Sequence, residues 1–264
     1  MEENCTNCKE VITSNFCGHC GQKSYTRVDR SYVIDELKEI LIYANKGFMY
    51  SVLKVAQNPG KTAKEFIEGK RVNHYKPILL VFVLSGISAL ISFQILNTQD
   101  LLAIYFTSKK IYSPFMADVF SSIAAYNSFI MLSLIPIFAL LTRIVFRKSG
   151  NNYYEHLVMN AYILAFITIL NIVIFYPTVY LFKEKPAVVH QLFVFSLSTS
   201  PFVLVWFFKQ FYPEYSFKKI ILKMLWLFTL VILGYLLLIV LTTVIMVILV
   251  KIMGPEMLEY IKPK

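Results

Sequence analysis

Along most of this chain the apolar positions neither alternate nor recur on one helical face. They run together. Five stretches, 77–96, 125–146, 157–181, 188–208 and 220–250, are apolar for about eighteen residues or more, which is the length an α-helix needs to cross a bilayer core. The predicted fold class is therefore an all-α integral membrane protein of about five transmembrane helices. The fifth stretch exceeds one span, so it tilts or lays its first turn in the interface beside Phe217, Lys218 and Lys219. The fourth carries Ser196, Ser198, Thr199, Ser200 and Pro201 near its middle. Hydroxyls at that depth bond back to the helix or to a neighbour, so it still reads as a span. Pro136, Pro177 and Pro201 predict kinks.

The pattern changes upstream of residue 77. Ser31 is placed to cap a helix with apolar positions Val33, Ile34, Leu37, Ile40 and Leu41. Phe48, Met49, Val52, Leu53 and Ala56 repeat that spacing. Asn58-Pro59-Gly60 breaks the chain. Thr62 with Glu65 then reads as a capping box for a short helix ending near Gly69. Lys70, Arg71 and Lys76 follow at the water boundary of the first span. This is the pattern of amphipathic helices lying on a membrane surface, with cations toward lipid phosphates. The expected organisation is a head at 1–24, interfacial helices at 25–76 and a transmembrane bundle at 77–264.

Composition agrees with that class: 57% of residues are hydrophobic and 16% charged. The net charge of +10 is unevenly spread. Nineteen of the 26 Lys and Arg residues precede the first span or lie in the loops after the second and fourth, and seven lie on the other side. The positive-inside rule then predicts a cytoplasmic N-terminus and an external C-terminus. Residues 1–20 have no apolar h-region, so no cleavable signal peptide is expected and insertion uses the first span. The middles of the five spans carry no Asp, Glu, Lys or Arg, whereas ion-coupled transporters keep such a group at mid-depth.

Chemistry is concentrated at the N-terminus. Cys5-Thr-Asn-Cys8 and Cys17-Gly-His-Cys20 are separated by eight residues, and the chain has no other cysteine. Two such knuckles bring four thiolates around one tetrahedral metal ion, and a reducing cytoplasm favours structural Zn²⁺ over disulfides. Gly18 and Gly21 stand where a tight backbone turn is expected. His19, between two ligands, is read as solvent-facing. So short a segment lacks a hydrophobic core, and metal binding would fold it. Nucleic acid is not an expected partner, because residues 1–22 hold one Lys and three Glu while such binding needs clustered cations.

Three further features were weighed. Gly60-Lys61-Thr62 resembles the end of a phosphate loop, but Val55 stands where that pattern needs Gly and no strand precedes it. Asn160 and Asn171, eleven residues apart, share one face of the third span. That face is read as helix–helix glue before a polar path. Tyr153-Tyr154-Glu155-His156 opens the third span on the same side as Lys70 and Arg71. Glu155 and His156 are candidates, with Lys70 and Arg71, for a lipid-headgroup or partner site; the plainer reading is a helix start and aromatic belt. No catalytic residue is assigned, since no Ser–His–Asp set, H-E-x-x-H or paired intramembrane carboxylates occur.

Three blocks together resemble a known family. The opening Cys5-x-x-Cys8…Phe16-Cys17-x-x-Cys20-Gly21-Gln22 is the first. Asn58-Pro59-Gly60 with Glu68-Gly69-Lys70-Arg71 and Pro77 is the second, and Tyr154-Glu155-His156-Leu157-Val158 the third. They are similar to a bacterial, Bacteroidota-type zinc-ribbon membrane family, domain of unknown function family 3667. The resemblance implies a zinc ribbon ahead of several spans in the cytoplasmic (inner) membrane, and no activity. The first functional reading is a non-enzymatic scaffold or adaptor that meets a cytoplasmic protein or anionic lipid headgroups. The alternative is a transporter or channel-like bundle for a lipid or small solute, and the third is a lipid-modifying enzyme using Glu155 and His156.

Overall fold

The computed structural model describes residues 3–4, 8–12, 16–20, 44–71 and 73–263. It divides into two compact units, Met1–Gly47 and Phe48–Lys264. In the first, strand β1 (Glu3–Asn4) pairs antiparallel with β2 (Val11–Ile12), Glu3 opposite Ile12 and Asn4 opposite Val11. The helix expected after Ser31 lies outside the described residues.

Five helices are long and apolar enough to cross a membrane, as the hydrophobic runs predicted. The chain order is α1 (Ala44–Gln57), α2 (Pro59–Ile67), α3 (Pro77–Ala89), α4 (Thr98–Ser108), α5 (Pro114–Val145), α6 (Tyr153–Leu170), α7 (Pro186–Phe211), α8 (Phe217–Met253) and α9 (Pro255–Ile261). Segments of π-helix extend two of the spans: Leu90–Ile95 continues α3, and Asn171–Phe175 joins α6 to a last helical piece, Tyr176–Leu181. The helix ends differ from the sequence reading for identifiable reasons. The second span begins eleven residues early because Pro114 occupies its first turn and the Ser113 side chain accepts from Met116 N, both N-terminal devices. Its backbone breaks at Tyr126 (φ −109°, ψ 17°), ten residues before Pro136. Around Pro177 the break is a π turn. Proline lacks an N–H and its ring crowds the carbonyl four residues back, and the Asn171–Phe175 segment lies where that carbonyl, on Val173, must be accommodated.

The short helix α2 also starts differently. Asn58 is its N-cap residue and Pro59 its first position. Thr62 is therefore one turn inside, where its hydroxyl donates to Lys54 O (3.1 Å) and Asn58 O (2.8 Å), and no Thr62–Glu65 capping box forms. The helix ends at Gly69, as expected. Gly69 has φ +105°, Lys70 N donates to Glu65 O (3.0 Å) and Gly69 N to Phe66 O (3.2 Å). That is a Schellman closure, which glycine permits without strain.

The best-buried span is α6, which packs against α5, α3 and α2. Ala161 and Ala165 are fully buried beside Met159 and Tyr162, and small residues one turn apart let neighbouring backbones approach. The α2 helix docks on the bundle rather than resting only on lipid. Phe66 meets the Tyr162 ring edge-on at 5.9 Å, and Gly60 N donates to Gln210 Oε1 at 2.9 Å. The opposite extreme is α8. Only Ile220, Met224 and Leu227 of its residues are buried, so most of its apolar surface faces outward on every side, which suits lipid as solvent. Two helices the sequence reading omitted lie at the far end. The Tyr105 ring of α4 stacks on His190 at 4.1 Å, and Tyr260 of α9 hydrogen-bonds Asp118 of α5.

Candidate functional site

In the first unit the Sγ atoms of Cys8, Cys17 and Cys20 lie within 4.8 Å of one another. Cys8 and Cys17 are 3.5 Å apart. That is too long for a disulfide bond, while sulfurs on one tetrahedral zinc, with Zn–S about 2.3 Å, sit about 3.8 Å apart. Three thiols at this separation can hold a metal ion. Cys5 lies outside the described residues. Cys17 is buried and Cys20 exposed. The left-handed turn of the first knuckle falls on Lys9 (φ 65°), directly after Cys8. Gly18 is not in that region, so the glycine expected to turn the second knuckle is not needed for its φ; Gly21 lies outside the described residues.

The four residues proposed as a headgroup or partner site do not come together as one cluster. Lys70 Nζ pairs with Glu65 Oε1 at 3.6 Å. Arg71 Nε donates to Phe66 O at 3.1 Å, and its guanidinium lies 5.3 Å from the Phe66 ring centre. Both side chains are exposed at the end of α2. Glu155 closes the start of α6: its Oε2 accepts from Asn152 N (3.0 Å) and Asn151 Nδ2 (2.8 Å), while Glu155 N donates to Asn152 Oδ1 (3.0 Å). This reciprocal box satisfies helix-start donors, the plainer role considered above. His156 is fully buried, and neither ring nitrogen has a hydrogen-bond partner. Tyr162 is equally buried with its hydroxyl unpartnered. Nothing in the sequence distinguished these two from ordinary core positions.

Around the Glu155 box the structure builds a polar network that the sequence reading missed. Tyr212, just past α7, donates to Asn151 Oδ1 (2.9 Å) and shares a hydrogen bond with Ser149 Oγ (3.0 Å). Burial pushes its hydroxyl above the ordinary tyrosine range, against the pull of the Ser149 contact. Its ring stacks on Phe146 (5.0 Å) and Tyr215 (5.2 Å), and Lys219 Nζ lies 3.5 Å from the Tyr215 ring centre. The residues come from loops 60 positions apart, so no local motif betrays them.

Within the bundle, Asn160 Nδ2 donates to Thr142 Oγ1 (2.9 Å) and His156 O (2.8 Å), the helix-binding role expected. Asn171 Oδ1 accepts from Ser196 Oγ at 3.3 Å. Three cavities meet at Ile167. One of ≈ 300 Å³ between α6 and α7 reaches Asn171, Ser196 and Ser200. One of ≈ 180 Å³ reaches Thr142, Asn160 and Ser200. The third, ≈ 80 Å³, is walled by Ser85, Ser88, Asn127, Thr168, Asn171 and Tyr176. Ser198 is exposed and bonds back to Val194 O, so it lines none of them.

Fold and site together define a class: a multi-pass helical membrane protein carrying a cysteine cluster that can hold a metal ion. Over residues 45–89 the chain matches the model of a family described as protein of unknown function, DUF3667. The match bears out the family resemblance over α1, α2 and the α-helical part of α3 and brings no activity with it. No curated protein and no solved structure matches the chain.

Proposed function

We propose that this protein is a non-enzymatic membrane scaffold or adaptor. Its cysteine head holds one structural Zn²⁺ through Cys5, Cys8, Cys17 and Cys20 on the cytoplasmic side of a bacterial inner membrane. The bundle anchors the head, and the head and the adjoining interfacial helices meet a cytoplasmic protein or the anionic lipid surface, Lys70 and Arg71 supplying cations. The observation that carries the reading is the convergence of three thiols within 4.8 Å in a segment with only two-residue strands. Such a head gains its fold from metal. Elemental analysis of the purified protein should find one zinc per chain, falling below half an equivalent in Cys17→Ser. Co-purification of a cytoplasmic protein should fall in parallel. Zinc-free protein that keeps the same companions would overturn the reading.

A second reading, a bundle for a lipid or small solute, is favoured by one observation: the cavities at Ile167 reach both Asn160 and Asn171. Comparing strains carrying Asn171→Leu or Cys17→Ser separates the two. Loss of the gene's phenotype with the first and its survival with the second selects the solute-binding bundle.

A further inference from the structure

The turn between α7 and α8 is locked by one lysine. Lys209 Nζ donates to Pro213 O (2.8 Å) and Tyr215 O (2.7 Å). Below this turn the two helices leave a groove of ≈ 680 Å³. Its walls are Phe202 and Trp206 on one side and Phe217, Ile221, Leu225 and Phe228 on the other. At the closed end it presents Lys209 and Gln210, the two polar side chains in its lining. From Phe217 to Phe228 the groove runs about 16 Å along α8 at 1.5 Å per residue, about half of a 30 Å hydrocarbon core and so one leaflet deep.

Charge selects what enters. An ammonium has three donors, and Lys209 commits two to carbonyls. Ser216 Oγ accepts from Lys219 N (3.3 Å), which leaves the Phe217 and Lys218 amides at the start of a 37-residue helix, where anions are favoured. Residues 209–223 hold Lys209, Lys218, Lys219 and Lys223 against one acid, Glu214. The Gln210 amide is already engaged, by Gly60 N and Asn58 Oδ1. An apolar slot one leaflet deep, closed by an uncompensated cation, matches a lipid whose phosphate carries a net negative headgroup. A zwitterionic headgroup would bring its own cation into the lysines.

We infer that the α7–α8 groove is a binding site for an anionic phospholipid, one acyl chain between Trp206 and Ile221 and the phosphate at Lys209. This site is separate from the cysteine head and from Lys70 and Arg71, so its failure leaves the adaptor reading untouched.

The chain has two tryptophans, Trp206 in the groove and Trp226 on α8. Trp226→Phe protein, reconstituted in mixed phosphatidylcholine–phosphatidylglycerol vesicles with bromine on the chains of one lipid at a time, reports on the groove alone. Quenching of Trp206 should show phosphatidylglycerol enriched about fivefold over its mole fraction, the size of one lysine–anionic-lipid contact. Lys209→Gln should abolish the enrichment, and Lys209→Arg should keep it. Ile221→Phe, which fills the slot and leaves the lysine, should also remove it, and this arm stands if Lys209→Gln does not fold. Equal quenching by the two lipids would overturn the inference. So would enrichment that survives Ile221→Phe, or the same enrichment at Trp226 in Trp206→Phe protein, which marks general surface charge.

Discussion

Replacing Gly60 by Ala sets two effects of opposite sign against each other. In an exposed helix the change gains about 0.5–1 kcal/mol, because glycine loses more backbone entropy on folding. At this position an added Cβ would meet Phe207 O at 2.2 Å, Gln210 Cβ at 2.7 Å and Phe211 N at 3.0 Å. An ordinary contact is 3.4 Å or more, so α2 must lift from α7 by about an ångström. Overpacking of this kind costs about 1–3 kcal/mol, and the Gly60–Gln210 hydrogen bond lost with it is worth about 1 kcal/mol more. The clash wins by about 2 kcal/mol. Two of the blocking atoms are backbone, so trimming Gln210 cannot rescue the variant. Thermal unfolding in mild detergent should show Tm lower by about 4–8 °C for a chain of this size. Gly234→Ala is the control, because its Cβ would meet nothing within 4 Å, and it should not lower Tm. An unchanged or raised Tm for Gly60→Ala would refute the packing argument.

His74 should give a pH signature. Burial holds its imidazole below the ordinary value, with Glu65 pulling it up and Lys54 pushing it further down. The unfolded chain therefore takes up a proton first, near pH 6.5, so stability present above that pH is lost as pH falls toward the folded value; His74→Phe should shrink the fall in Tm between pH 7 and pH 5, and an unchanged fall would assign it to other groups. A reporter fused after Lys264 should score external, and a cytoplasmic score would mean an even number of spans. Arg71→Ala should weaken flotation of the protein's 1–76 segment with anionic vesicles, or capture of its partner by the full chain, while membrane insertion stays normal; unchanged binding in both would remove Arg71 from the proposed surface.

The spans were legible because their signal is additive: twenty consecutive apolar residues leave few alternatives. Their ends were not, since Pro114 and Asn152 begin helices outside the apolar run itself. The cysteine head was legible from spacing, and three of its four thiols are seen to converge. What stayed hidden depends on tertiary approach. Nothing local in Gly60 announces the carbonyl of Phe207 above it, and Tyr212, Ser149 and Asn151 meet only because α5, α6 and α7 end at one level. The Lys70–Arg71–Glu155–His156 grouping rested on shared sidedness, which fixes depth in the membrane and leaves azimuth around the bundle open. His156 turned inward and Arg71 stayed out.

The two π segments bear on how this family can change. A turn closed by an i→i+5 bond holds one residue more than an α-helical turn, so each segment is in effect a single-residue insertion absorbed within a span. Removing one residue from 171–175 would let the helix run on as α and turn everything after it by about 100°. Tyr176, whose hydroxyl meets Ser88 at 2.6 Å, would swing off its partner, and a different side of the 176–181 piece would face α3. Relatives with one residue fewer between Asn160 and Pro177 should therefore lack the Ser88–Tyr176 pair together, so that a gap in an alignment, read beside two substitutions, becomes a record of helix geometry.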